Sequence, residues 1–163
     1  MTSGVSRLDA LSSDEAAREL LAFCGSDEWA RRMAAARPFG TPARLLEAAD
    51  LSWSALSAAG RLQALSRHPR IGDPGASGQP AREQSAMRDA DAETARDLAL
   101  ANRDYEERFG RIFIVAAAGR TAAEMLALCR ERLHNDAATE LEIAAEEQRR
   151  ITRLRLEAFV RET

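Results

Sequence analysis

Apolar residues recur along most of this chain at the three- and four-residue spacing that marks one face of a helix. Several of these stripes begin just after a residue that caps helix N-termini well. Ser12, with Glu15 three residues later, is a capping-box signature, and Thr41 precedes a proline suited to a first helical position. We therefore predict helix starts at four N-caps, Ser12, Ser26, Thr41 and Thr121.

The same periodicity resumes near Pro80 and continues, with or without a break at residues 89–91, to Gly110. It predicts two further helices. One runs from about Ser52 to Ser66, and it turns four apolar side chains inward, those of Trp53, Leu56, Leu62 and Leu65. The other is the last and longest helix, from about Ala137 to Val160.

Two stretches interrupt the helical pattern. Residues 68–80 hold three of the five prolines and three of the nine glycines, which excludes a regular element there. A loop of about 13 residues within a compact domain is typically either functional or disordered. Residues 111–117 are the only β-like run and have no second strand to pair with, so we predict a short, buried extended segment.

Length and composition then indicate the fold class. The 163 residues suit one domain, and 45% of them are apolar while only 5% are aromatic. Abundant alanine with few aromatic residues favours helix packing over a β-sandwich. We predict a single all-α domain over residues 1–163, a multi-helix bundle with one long functional loop.

The charge balance excludes several classes of partner. The 23 basic and 26 acidic side chains give a net charge of 23 − 26 = −3, without the basic field that nucleic-acid binding uses. No apolar run approaches the ~20 residues of a membrane span, and the first residues show no signal-peptide pattern. We expect a cytoplasmic protein that binds neither nucleic acid nor membranes.

Cofactor chemistry is restricted by two residue counts. Two cysteines, and two histidines without zinc-site spacing, give no reason to expect a metal. All 23 basic side chains are arginine, because the chain contains no lysine. A side-chain Schiff base, a pyridoxal-phosphate site and a P-loop nucleotide site are therefore excluded.

His68 is the first candidate for chemistry, since it opens the long loop and histidine is the usual general acid or base near neutral pH. Glu83, on the helix after the loop, can return to His68 and hold its ring in one tautomer. The simpler alternatives are a loop histidine with no role and a glutamate that complements a helix N-terminus.

Two other features suggest binding rather than proton transfer. An extended segment without a sheet partner leaves backbone N–H and C=O groups that can bind a polar heterocycle, although a run like residues 113–117 is most often plain core. In the last helix Arg155 falls between two leucines, so its guanidinium is expected to be partly buried. A partly buried guanidinium needs a carboxylate partner, from the protein or from a substrate. A solvated charged face is the alternative.

Taken together, these segments resemble one known family over nearly the whole chain. The matching motifs are His68-Pro69-Arg70-Ile71-Gly72, Arg82-Glu83-Gln84-Ser85, the run 102–110, Phe113-Ile114-Val115, Gly119-Arg120, the run 132–136, Glu140 and the run 151–156. The family is the 2-oxo-4-hydroxy-4-carboxy-5-ureidoimidazoline (OHCU) decarboxylases of urate degradation. The N-terminal third matches only in helical character.

The resemblance implies an all-helical, cofactor-independent decarboxylase, usually a homodimer, that converts OHCU to (S)-allantoin and CO₂. It implies that His68 is the catalytic histidine and Glu83 its paired acid. The positions that match substrate contacts are Pro69, Arg82, Gln84, Phe113, Ile114, Val115, Ala116, Ala117 and Arg155. Arg153 is the competing assignment for the arginine.

One departure affects the implied site. The family often has serine three residues before the catalytic glutamate, where this chain has Pro80, so Ser77 or backbone must replace any contact from it. Two other functions stay open from the residues alone. One is a non-catalytic helical interaction protein of the same fold, and the other is a lyase or hydrolase acting on another ureido compound.

Overall fold

The computed structural model describes residues 3–70 and 91–162, and all regular structure in that part of the chain is helical. The helices, in chain order, are α1 (Gly4–Ala10), α2 (Ser13–Leu20), α3 (Asp27–Ala35), α4 (Pro42–Ser54), α5 (Ala58–Ser66), α6 (Ala92–Phe109), α7 (Ala122–Arg132) and α8 (Ala137–Glu162). The predicted all-α class is confirmed.

Side-chain caps begin most of these helices, as the sequence predicted. All four predicted N-caps accept a hydrogen bond from the backbone N–H three residues on, namely Ser12, Ser26, Thr41 and Thr121. At α2 the capping box is complete, because the Glu15 carboxylate also accepts the Ser12 backbone N–H at 3.0 Å. Each cap satisfies a backbone donor that the first helical turn leaves unpaired.

The single helix predicted over residues 52–66 is wrong, since the chain breaks after Ser54 and restarts at Ala58. The cause is a contact distant in sequence: Glu28 of α3 accepts the Ser57 hydroxyl at 2.6 Å and the Ser57 backbone N–H at 3.3 Å. Ser57 in turn caps α5. The restart rotates Leu62 outward, and its side chain is 46% exposed rather than inward-facing. Helix α1 was also not predicted.

The helices divide between two compact units, and α8 runs through both. The first unit comprises Met1–Arg67 and Gln148–Thr163. Its largest fully buried side chain is Trp29, whose indole Nε1 donates to the Ala49 carbonyl at 3.2 Å. Asp50 of α4 accepts hydrogen bonds from Arg149 and Arg153 of α8, at 3.1 and 3.0 Å.

The second unit is His68–Glu147, and its core encloses the predicted extended segment. Phe113, Val115 and Ala117 belong to a hydrophobic cluster with α6 and α7, while Ile114 and Ala116 are buried outside that cluster. This alternation is typical of an extended chain. The predicted segment is therefore present, and it is buried on both faces.

The structure tests three other expectations only in part. Of the predicted loop 68–80, residues 68–70 are described and form neither helix nor strand, and the rest lies outside the described residues. The single domain over residues 1–163 stays a prediction. Among the described helices none is long and apolar enough to cross a membrane.

The contact that fixes the turn before α4 gives a stability prediction. Both Asp9 carboxylate oxygens accept backbone hydrogen bonds, from Phe39 at 2.8 Å and Gly40 at 2.9 Å. We expect Asp9→Ala to lower the free energy of unfolding by about 1–3 kcal/mol, because it leaves a buried backbone donor unpaired. Denaturant titration measures this, and the exposed Glu47→Ala should change it by less than about 0.5 kcal/mol. Equal effects of the two variants would contradict the prediction.

Candidate active site

His68 lies directly after α5, in a segment that is anchored to α6. The His68 side chain is half-buried, as is Pro69. Two residues on, Arg70 forms a two-pronged ion pair with Glu106, with Nε to Oε1 at 2.6 Å and Nη2 to Oε2 at 3.2 Å. A bidentate pair restrains both position and orientation of the chain. The backbone that carries His68 is therefore fixed at a known point of α6.

The residues expected to act beside His68 fall in a different part of the chain. Arg82, Glu83 and Gln84 lie outside the described residues, as do Ser77 and Pro80. The pairing of Glu83 with His68 therefore stays a prediction from the sequence.

The extended segment, Phe113–Ala117, presents backbone groups inside the protein. All five residues are at most 8% exposed. Within residues 3–70 and 91–162, no side chain or backbone group accepts a hydrogen bond from any of their five N–H groups. Buried N–H groups nearly always find a partner in protein, water or ligand. Among the described residues, this stretch therefore presents unpaired N–H donors of the kind that binding of a polar heterocycle needs.

The segment is held from one side by a buried ionic network that the sequence did not reveal. Arg132, in the last turn of α7, donates from Nη1 to the Ile114 carbonyl at 2.7 Å and from Nε to the Glu140 carboxylate at 2.7 Å. Glu140 of α8 has no exposed surface and also accepts the Tyr105 hydroxyl at 2.6 Å and the Asn135 amide at 3.2 Å. Four separate parts of the second unit meet at this one carboxylate.

Aromatic rings complete the surroundings of Arg132. Its guanidinium carbon lies 4.7 Å from the Phe113 ring centroid and 5.8 Å from that of Tyr105. Burial, together with the hydrogen bond to the Glu140 carboxylate, raises the pKa of Tyr105 to about 12. Burial likewise raises the pKa of Cys129 to about 11, so this thiol is protonated and unreactive at neutral pH.

The two competing arginines lie in the first unit, and both are half-buried. Arg153 is engaged by two carboxylates, that of Asp50 at 3.0 Å and that of Glu157 at 3.2 Å. Arg155 is half-buried and donates from Nη1 to the Phe23 carbonyl at 3.2 Å. A guanidinium already paired with two carboxylates has little left for a ligand, which counts against Arg153, and the assignment of Arg155 to anion binding stays a prediction.

The candidate residues are therefore distributed over both units. His68, Pro69 and the segment 113–117 belong to the second unit, whereas Arg155 belongs to the first. Over the described ranges there is no group of three or more histidine, cysteine or acidic side chains suited to hold a metal ion. Both cysteines are free and buried.

Comparisons with known proteins agree on one family. A family model described as OHCU decarboxylase matches residues 9–157. The Uric acid degradation bifunctional protein TTL of Arabidopsis thaliana is 40% identical over 141 residues, which is 82% of this chain and 44% of that protein. The 2-oxo-4-hydroxy-4-carboxy-5-ureidoimidazoline decarboxylase of Amia calva is 35% identical over 77 residues, 47% of this chain and 44% of that protein. The matched stretches thus span less than half the length of these relatives.

A solved structure supports the same assignment over a greater length. A crystal structure of OHCU decarboxylase in the presence of (S)-allantoin superimposes with a TM-score of 0.79 at 37% identity. The match covers 88% of this chain and 97% of that one.

The buried network predicts an unusual titration of the single tyrosine in the chain. We expect the folded protein to form phenolate with a midpoint near pH 12, because Tyr105 is buried and donates to a carboxylate. The unfolded chain should titrate near pH 10. The folded pKa is the higher one, so the network contributes stability up to about pH 10 that is lost as the pH approaches 12.

Phenolate absorbance measures both midpoints, in buffer and in concentrated guanidinium chloride. A midpoint near 10 in the folded protein would contradict the buried hydrogen bond to Glu140.

Proposed function

The chain belongs to the OHCU decarboxylase family, and from this premise we propose that it converts OHCU to (S)-allantoin and CO₂ in urate degradation. The observation that carries the proposal is the family match over residues 9–157. It is supported by the 37% identity to a solved OHCU decarboxylase, 97% of which is covered. The proposed enzyme class is accordingly a carboxy-lyase.

The proposed reaction needs no electron-sink cofactor. When the bond from the ring carbon to the carboxylate breaks, CO₂ leaves and the electron pair stays on the ring, delocalised into the neighbouring C=N bond. One proton then adds to one face of the adjacent ring carbon, and the ring hydroxyl becomes a carbonyl as its proton passes to the ring nitrogen of the former C=N bond. The protein has three tasks: to orient the carboxylate out of the ring plane, to stabilise the developing negative charge, and to deliver the proton to one face.

We assign proton transfer to His68. An imidazole titrates near neutral pH and can give and take a proton there. The Arg70–Glu106 ion pair restrains the chain two residues away, which limits where the imidazole can go. In this proposal Glu83 orients the ring and favours one tautomer, and Pro69 and Arg82 contact the substrate.

We assign substrate orientation to the backbone donors of the extended segment. The N–H groups of Phe113–Ala117, together with the Gln84 amide, would bind the ring and the ureido group. Donors that are fixed before the reaction stabilise developing charge without reorganisation, which is often the largest contribution to catalysis. Arg155 would bind the substrate carboxylate or a carbonyl, because Arg153 is engaged by Asp50 and Glu157.

The setting of the enzyme belongs to the same proposal. We propose that it acts as a homodimer in the cytoplasm and without a metal or organic cofactor, as the family resemblance implies. Size-exclusion chromatography with light scattering measures the oligomeric state directly.

The two histidines of the chain provide a matched test of the mechanism. We expect His68→Asn to slow formation of (S)-allantoin from freshly made OHCU by a factor of about 10²–10⁴, the usual contribution of general acid–base catalysis. Glu83→Ala should be similarly defective, and both variants should keep the wild-type helical circular dichroism. His134→Asn, at an exposed site, is the control and should be fully active.

A time course of optical activity is the measurement, because OHCU also decays spontaneously and only the enzyme gives one enantiomer. Near-normal turnover by His68→Asn would refute the proton-transfer role. An inactive wild-type protein would instead favour a non-catalytic interaction protein, and activity only on another ureido compound would favour a different lyase or hydrolase.

The neighbouring arginines provide the second test. We expect Arg155→Ala to raise KM by roughly tenfold or more, because a charge-assisted contact to the substrate anion is lost. Arg153→Ala should leave KM near the wild-type value and change mainly stability, through its lost bonds to Asp50 and Glu157. Steady-state kinetics of both variants decides the assignment, and a larger KM defect in Arg153→Ala would reverse it.

A further inference from the structure

Arg132 is placed to control how the extended segment faces its ligand. Its planar guanidinium binds the Glu140 carboxylate through Nε and the Ile114 carbonyl through Nη1, both at 2.7 Å. The two nitrogens belong to one rigid plane, so fixing Nε on Glu140 fixes the direction of Nη1. Tyr105 and Asn135 hold the carboxylate itself in place. The Ile114 carbonyl is therefore fixed by a chain of contacts with no flexible link.

With the Ile114 carbonyl fixed, the direction of the N–H and C=O groups on the opposite edge of the segment is fixed as well. In an extended chain the backbone groups of successive residues point to opposite edges. Arg132 occupies the edge that carries the Ile114 carbonyl, so the N–H and C=O of Val115 face the other edge. In the described ranges nothing accepts a hydrogen bond from that N–H. A donor and an acceptor side by side match a planar amide or urea group.

We infer that Arg132, locked by Glu140 and Tyr105, is a positioning residue that aims the Val115 backbone at the ureido or ring amide of the substrate. The inference rests on the proposed function and adds to it a residue that lies behind the binding segment. The competing explanation is that the ion pair only joins α7 to α8.

An apolar replacement of the network separates these explanations. Removing one partner alone would leave a buried charge, whereas replacing a whole buried ion pair by apolar residues is often neutral or stabilising. The triple variant Y105F/R132M/E140L is therefore expected to fold while it loses the anchor on Ile114. R132K is the second variant, since lysine keeps the charge near Glu140 without the rigid fork. R130K, at the exposed partner of Asp97 on the same helix, is the matched control.

The readouts are steady-state kinetics with OHCU, the Kd of (S)-allantoin by calorimetry, and the shift of the Val115 amide resonance when (S)-allantoin is added. We expect R132K and the triple variant to raise KM and this Kd about tenfold, the loss of one or two ligand hydrogen bonds. Their kcat should fall as well, because the same backbone donors are proposed to stabilise the charge that develops as CO₂ leaves. R130K should match wild type in every readout.

Two results would overturn the inference. In the first, wild type is active and R132K binds (S)-allantoin as tightly as R130K does, which leaves the proposed function intact and removes only the role of Arg132. In the second, wild type neither converts OHCU nor binds (S)-allantoin, and both proposals fail together. If the triple variant does not fold, the comparison of R132K with R130K decides by itself.

Discussion

Arg132 and Glu140 form an ion pair inside the second unit, with the arginine 5% exposed and the glutamate fully buried. Taking two charges out of water costs several kcal/mol per ion. The attraction between them offsets this cost only when the two groups are close and additional hydrogen bonds satisfy both. Those bonds come from Tyr105, Asn135 and the Ile114 carbonyl. The pair is thus tolerable only when α6, α7, α8 and the extended segment are all in place, which makes their arrangement cooperative.

This constraint explains how a helical protein displays backbone hydrogen-bonding groups. A helix uses its own N–H and C=O groups, and a sheet pairs them between strands, so neither leaves many for a ligand. The backbone groups of segment 113–117 belong to neither a helix nor a sheet. The segment's own side chains pack on both faces, and the Arg132 side chain rather than a second strand occupies one edge. With an arginine in place of a partner strand, the other edge has no hydrogen-bond acceptor for the Val115 N–H among residues 3–70 and 91–162.

Much of the fold was predictable because its signals are local. N-caps such as Ser12 and Thr121 act within one helical turn, and the extended segment is short, apolar and flanked by glycine. The break at residues 55–57 was not predictable, since it depends on Glu28, about 29 positions away in the chain. Local periodicity carries no information about such a contact, and it placed Leu62 in the core although that side chain faces solvent.

The candidate site also contains residues that the sequence could single out and residues that it could not. The sequence could single out His68 and the segment 113–117, because a lone histidine at a proline-rich loop and an unpartnered β-like run are conspicuous. It could not distinguish Arg155 from Arg153, because the pairing of Arg153 with Asp50, 103 positions away, leaves no trace in the local sequence. Arg132 lies within the matching run 132–136, but nothing in the composition separates a buried arginine from the other 22.

That composition also bears on the chemistry. Without lysine the chain cannot form a Schiff base with its substrate, so the usual amine route to decarboxylation is closed. A substrate whose own ring accepts the electron pair removes the need for that route, and what remains for the protein is orientation and one directed proton. Arginine suits the first task better than lysine would, because its rigid fork can bind a carboxylate and a carbonyl at once, as Arg132 does. In the proposed reaction, handedness depends on two separate constraints, the plane in which the backbone would hold the ring and the face from which His68 would deliver its proton.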